Sequence, residues 1–381
     1  TASAPRPKTP ARGPPAPPRS RPPPPASAPS STPRPQAAAP TAEPMADLTK
    51  IEWCDRTFNP WRGCVKVSPG CDNCYAETLS KRNPAALGEW GKDANRVIAA
   101  EAYWRKPERW ERGAAAFEAE HGRRQRVFCA SLGDVFENRP DLLAPRLRLL
   151  DLIRRTPSLD WLLLTKRPKN VVPLLRLAWD QETERRRTGE GYQADTVFML
   201  AHWIDGGAPP NVWLGTSVED QERADQRVPA LLKVPAAVRF LSCEPLLGPV
   251  RLEKWLQPLD PYCDFCPVPS GIHWVIAGGE SGASPRPMHP DWARSLRDQC
   301  AEAGVPFLFK QGGAWAPSTP ADGATHGVNV NSGRCIPGAE KANPEHFPHW
   351  QFVRRDGKKA AGRQIDGRTH DGFPASEVAA R

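Results

Sequence analysis

Along this chain short apolar runs alternate with longer amphipathic stretches, and every run ends in polar, charged or glycine residues. The runs are Val127–Ser131, Trp161–Leu164, Val212–Gly215, Val238–Leu241, Trp274–Ala277 and Pro306–Phe309. Behind them stand, in turn, Leu132–Asp134, Thr165–Pro168, Thr216–Glu219, Ser242–Pro245, Gly278–Ser281 and Lys310–Gly312. Brief continuous apolar runs closed by turn signals predict strands of a parallel sheet buried on both faces. Leu142–Arg155, Asp220–Leu232 and Trp292–Ala303 carry helical patterning between them. This alternation predicts an α/β fold, and with one more strand ahead of Gly63 the count approaches a partial or full (β/α) barrel with parallel strands. A Rossmann-like open sheet is the competing architecture. No G-x-G-x-x-G follows the first strand, however, and no Walker loop occurs.

In a (β/α) barrel the chemistry gathers where the strands end. The pattern places Ser131, Asp134, Thr165, Lys166, Arg167, Ser217, Glu219, Glu244, Glu280 and Lys310 there. Each alone also fits a salt bridge or a helix cap. As a set on one face they describe a site. The candidate catalytic groups are Lys166, Glu244, Glu280 and Lys310. Ser131, Asp134, Thr165, Ser217 and Glu219 are the candidate cofactor-binding groups.

The same face receives the loop that follows the first strand. Gly63–Ala76 holds Cys64, Cys71 and Cys74 in a C-x6-C-x2-C spacing, with Pro69-Gly70 as the turn between the arms. Three thiols so close in sequence converge at little loop-closure cost. Thiolates are soft ligands that select zinc or iron–sulfur centres. Three of them leave one position open on an iron–sulfur cluster, or await a distant fourth ligand around a structural zinc. Ordinary buried thiols are the third reading.

Outside the repeating units, residues 1–44 are Pro-, Ala-, Ser- and Arg-rich and cannot bury enough surface to order; they are expected to be a disordered tail. Composition changes at Met45, where translation is expected to start. The stretch 83–125 interleaves Trp90, Tyr103, Trp104 and Trp110 with Arg96, Arg105, Lys106 and Arg109. That pattern fits base stacking and phosphate pairing, but the usual preference of aromatic rings for the core favours a solvated helical excursion with its rings packed inward. Residues 181–207 read as a loop or helical hairpin. Cys263 and Cys266 form an isolated C-x2-C that cannot saturate a metal alone. The division expected is a tail over 1–44, the barrel over 45–313 and a turn-rich appendage over 314–381.

The net charge is +9, of which six Lys/Arg and one Glu in residues 1–44 supply +5. The remainder is mildly basic, which permits a nucleic-acid partner without demanding one. No apolar run approaches the roughly 20 residues of a membrane span. Without a secretory signal or a dense cysteine framework, a cytoplasmic location and reduced thiols are expected.

A cysteine loop after the first strand of a (β/α) barrel resembles the radical S-adenosylmethionine superfamily. More closely, Lys50–Trp53, Asn59–Cys64 and Ser68–Glu77, with Val275–Gly282, Phe309–Gly312 and Ile365–Arg368, are similar to a phage-associated three-cysteine-motif family of unknown function. The superfamily likeness implies a [4Fe–4S] cluster on Cys64, Cys71 and Cys74, with S-adenosylmethionine chelated at the fourth iron. It also implies hydrogen abstraction from a substrate by a 5′-deoxyadenosyl radical. Lys166, Arg167 and Lys310 would then pair carboxylate or phosphate groups. Ser131, Asp134, Thr165 and Ser217 would bond a methionyl or ribose part. Glu219, Glu244 and Glu280 would take the amine, the ribose hydroxyls or an acid–base role. The chain departs from the superfamily's C-x3-C-x2-C by its longer first arm, and Leu132-Gly133-Asp134 stands where Gly-Gly-Glu is usual. The leading expectation is a radical S-adenosylmethionine-like iron–sulfur enzyme acting on an unknown substrate, for which nucleic acid is one candidate. The alternative is a non-catalytic zinc- or cluster-dependent nucleic-acid-binding protein. A protein partner is compatible with either.

Overall fold

The computed structural model describes residues 48–191, 193–256, 271–339 and 343–375. The proline-rich segment before Leu48 and the Cys263–Cys266 pair lie outside these residues. Every apolar run named above forms a strand. The central sheet comprises β1 (Arg56–Thr57), β2 (Gln125–Cys129), β3 (Leu159–Thr165), β4 (Val212–Ser217), β5 (Val238–Cys243), β6 (Trp274–Gly278) and β7 (Phe307–Gln311). They lie side by side in chain order, and each neighbouring pair is parallel. Among the described residues β1 and β7 do not pair, so the α/β barrel expected from the sequence is a partial one of seven strands.

The two-residue period of a strand decides what each face buries. Phe128, Leu162, Trp213, Phe240, Trp274 and Leu308 fill the concave inside, where Trp53 packs with its ring centroid 4.5 Å from that of Phe128. Their neighbours Val127, Trp161, Leu214, Leu241, Val275 and Phe309 face the helices outside. Burying a Phe- or Leu-sized side chain contributes about 1.5–3 kcal/mol. A run apolar at every position therefore supports both layers at once.

Among the helices are α1 (Tyr75–Ser80), α2 (Leu143–Arg155), α3 (Val171–Thr188), α4 (Ala194–Ile204), α5 (Gln221–Leu232) and α6 (Pro290–Glu302). Asp220 caps α5 by accepting from Arg223 N at 2.9 Å. Helices α3 and α4 make the segment 181–207 a helical hairpin. In the Trp-rich insertion the rings pack inward: Trp104 and Trp110 are buried, and Tyr103 stacks on Phe58 at 5.1 Å. Arg96, read with them, is buried and holds Glu137 with both ends of its guanidinium, at 2.6 and 2.9 Å.

Beyond β7 the chain forms a four-stranded antiparallel sheet from Trp315–Pro317, His326–Asn329, Cys335–Pro337 and Trp350–Arg355. Asp366 and Gly367, both at positive φ, then turn a two-residue hairpin, the geometry Asp-Gly favours. The Asp366 carboxylate accepts from Arg294 and Arg297 of α6 at 2.8 and 2.7 Å. His370–Gly372 runs antiparallel along the outer edge of β7, with Phe309 N donating to His370 O and Gly372 N to Phe307 O. No helix among the described residues is long and apolar enough to cross a membrane.

Candidate functional site

Strands β2–β7 direct their C-terminal ends at one cavity of about 430 Å³. Its wall includes Cys64, Cys71 and Cys74 together with Ser131, Asp134, Thr165, Lys166, Ser217, Glu244, Glu280 and Lys310. Of the candidate groups only Glu219 stands outside the wall; it is fully buried behind the cysteine loop.

The reason lies in how that loop is held. Glu219, just past β4, accepts from Ser68 Oγ at 2.8 Å and from Arg227 Nη1 of α5 at 2.8 Å. Gly70 lies against the same carboxylate so closely that a Cβ there would collide with it. Glu280, just past β6, accepts from Asn73 Nδ2 at 2.9 Å and from Arg286 Nη2 at 2.6 Å. Arg286 Nη2 also donates to Pro69 O at 2.8 Å. Burial opposes the Glu280 charge, but the bonds from Arg286 and Asn73 hold its carboxyl below the usual value. The two carboxylates are therefore anchors of the C-x6-C-x2-C loop more than arms reaching for a ligand. Asn73 also explains the helix start. It does not cap α1, whose N-cap is Cys74; its amide reaches Glu280 and Ser284 O instead.

Asp134 is an internal hub. It accepts from Phe136 N, Thr165 Oγ1, Lys166 N and Arg167 Nη1, at 2.9, 2.7, 3.1 and 2.7 Å. Arg167, so placed, donates to Val65 O at 2.8 Å and lies 3.7 Å from Cys64 Sγ. Burial works against this guanidinium, yet Asp134 and Cys64 raise its pKa above the ordinary value. Burial likewise pushes the Cys64 thiol up to about 12, with Asp134 adding and Arg167 opposing. Ser131 Oγ is engaged with Asn59, and Tyr75 Oη donates to Ser131 O at 2.8 Å. Asp134, Thr165 and Ser131 are thus already bonded within the protein.

On the far wall Lys310 Nζ donates to both oxygens of Glu244 at 2.9 Å, and Gln311 Nε2 adds a bond at 3.0 Å. Burial disfavours the ammonium, but Glu244 outweighs it and holds Lys310 above its ordinary pKa. Lys166 Nζ has no partner among the described residues. Arg286, Tyr75 and Gln311 complete the site. Of these Tyr75 and Gln311 lay within motifs, and nothing in the local sequence distinguishes Arg286 from a surface arginine.

The three thiols are free and half-buried. Among the described residues no three His, Cys, Asp or Glu side chains are drawn together tightly enough to hold a metal ion. The cysteines match a soft metal centre by donor type and by sharing one cavity wall, not by preformed coordination.

Fold and site together define an α/β half-barrel with a thiol-lined cavity at the carboxyl ends of its strands. Residues 48–374 match the family described as "Protein of unknown function (DUF5131)", and the chain belongs to that family. No curated protein and no solved structure matches it.

Proposed function

We propose that Cys64, Cys71 and Cys74 hold an open iron–sulfur cluster, and that the protein is an enzyme of the radical S-adenosylmethionine type. The observation behind this reading is the placement of the cysteine loop: three thiols from one loop share a cavity with the carboxyl ends of six strands of the parallel sheet. When bound, such a cluster supplies one-electron chemistry on a sulfonium cosubstrate. The chain's own groups then have separate tasks. Glu219, Glu280 and Arg286 fix the loop, and Arg167 sets a positive charge beside Cys64. The Lys310–Glu244 pair presents a protonated amine to a ligand's carboxylate. Trp53, Phe128 and Leu164 line the inner part of the cavity and limit water there.

The test is oxygen-free reconstitution with iron and sulfide, followed by an assay for 5′-deoxyadenosine. A spectroscopically defined four-iron cluster with turnover is expected, and Cys64→Ala abolishes both. Stoichiometric zinc in protein purified without oxygen would overturn the reading in favour of a non-catalytic zinc protein.

A further inference from the structure

The cavity contains more polar groups than the protein itself uses. Ser217 and Ser242 are 2% and 3% exposed, line the cavity, and have hydroxyls with no hydrogen bond among the described residues. Gln311, 3% exposed, spends its amide NH on Glu244, while its Oε1 has no partner among the described residues. Buried polar groups are normally paired, so unpaired ones facing a cavity mark where a ligand's donors and acceptors belong. At the rim the imbalance is one of charge. Lys50, Lys166 and Lys358 all line the cavity, and none has an ion-pair partner among the described residues. Lys66 beside them is different, being paired with Glu77 at 3.0 Å. Three uncompensated ammonium groups around one opening repel one another unless an anion sits between them. The rim also carries Tyr75, 51% exposed, and Trp90, the one ring of the Trp-rich insertion that lines the cavity.

Unpaired cations, exposed aromatic faces and unspent neutral hydrogen-bonding groups are the three elements that receive phosphate, base and sugar. We propose that this cavity takes a nucleotide unit, its phosphate held by Lys50, Lys166 and Lys358 and its base stacked on Tyr75 and Trp90. The proposal deepens the reading above by naming a substrate class, and rests on that reading for the reaction alone. Two sources share this chemistry, a free nucleotide and a nucleotide within a single strand.

The experiment titrates the full chain with a labelled single-stranded octanucleotide, a mononucleotide, adenosine and inorganic pyrophosphate, at about 50 mM salt. Both phosphorylated nucleotides, or the octanucleotide alone, bind at least about tenfold tighter than adenosine. Combining Lys50→Gln, Lys166→Gln and Lys358→Gln lowers affinity about tenfold or more and flattens the salt dependence. Tyr75→Ala lowers it about fivefold or more. Lys169→Gln with Lys233→Gln, which line a separate hollow beside Pro229 of α5, changes nothing. Thermal melting checks that each variant is folded. Octanucleotide binding alone assigns the polymer; mononucleotide binding as well assigns the free source. No binding of either, full affinity in the triple variant, or pyrophosphate binding as tightly as the nucleotides overturns the proposal. Repeating the titration with Cys64, Cys71 and Cys74 changed to alanine separates the two readings. Nucleotide bound there, with no cluster built in the wild type, sinks the metal reading alone. A cluster built without nucleotide binding sinks this one alone.

Discussion

The two ends of the one sheet treat buried charge in opposite ways. At the carboxyl end each buried acid is saturated: Asp134 accepts four hydrogen bonds, Glu219 is shared by Ser68 and Arg227, and Glu280 by Asn73 and Arg286. At the amino end Asp55 is well bonded to Arg123, but other buried charged and titratable groups are not. Asp160 Oδ1 has Arg124 only at 3.7 Å, and Arg126 leaves Nε without a hydrogen bond while its guanidinium lies 4.0 Å from the Phe373 ring centroid. His273 Nδ1 accepts from Arg239 N at 2.9 Å, but its Nε2 has no hydrogen-bond partner among the described residues. Burial pushes Asp160 up to about 6, and pulls Arg126 down to about 10 and His273 to about 4. Charges at the carboxyl end hold loops in place, so they need directed bonds. Those at the amino end fill space beneath the core and give up part of their charge stability.

If that contrast is real, equivalent substitutions at the two ends have opposite signs. The largest effect is expected from Glu219→Ala, which strands Arg227 in the interior and releases Ser68. Breaking a buried pair from one side costs about 3–5 kcal/mol. Urea denaturation measures it, and a loss under about 1 kcal/mol would contradict the anchoring role. Asp160→Asn is expected to go the other way. Its folded pKa of about 6 lies above the ordinary 3.8, so its contribution to stability is complete below the unfolded value and is lost as pH rises through about 6. The variant should match wild type near pH 4 and exceed it at pH 7 by on the order of 3 kcal/mol. Equal stability at pH 7 would show the two ends to be alike.

The half-barrel was readable because a strand buried on both faces must be apolar throughout, and Trp161–Leu164 or Val238–Leu241 leaves little other choice. The cysteine spacing was readable because its chemistry is local. Arg286 was not, because its partners Pro69, Asp72 and Glu280 lie in other segments and only the folded chain brings them together. Glu219 and Glu280 were found as site residues, but whether an acid faces the cavity or grips a loop depends on which neighbours arrive, and pattern does not encode that. The insertion misleads for a related reason. Trp104 and Arg96 look like a nucleic-acid surface by composition, yet the ring is needed against Phe58 and the guanidinium against Glu137. The strands of 314–355 are three to six residues long and too irregular to announce a sheet.

Arg286→Ala sharpens the comparison within the carboxyl end. Pro69 O and Glu280 lose a charged donor, while the loop keeps Ser68–Glu219 and Asn73–Glu280. A loss of about 1–3 kcal/mol is expected, with faster alkylation of Cys71 and Cys74 by a thiol reagent while Cys129 stays protected. Unchanged alkylation would mean that the loop is held without it.

The smallest effect belongs to Lys66→Gln. Its ammonium meets Glu77 at 3.0 Å, within hydrogen-bond distance, yet the lysine side chain is 45% exposed. Pairs open to water gain little because solvent screens them and both long side chains lose freedom, so under about 1 kcal/mol is expected. Lys66 and Arg167 both donate to the backbone of the cysteine loop, to Asp72 O at 3.3 Å and to Val65 O at 2.8 Å. What separates them is burial and the number of partners, not charge. A loss from Lys66→Gln as large as that from Arg286→Ala would mean that the loop is held mainly by net attraction, and the distinction between directed bonds and diffuse charge would fail where it matters most.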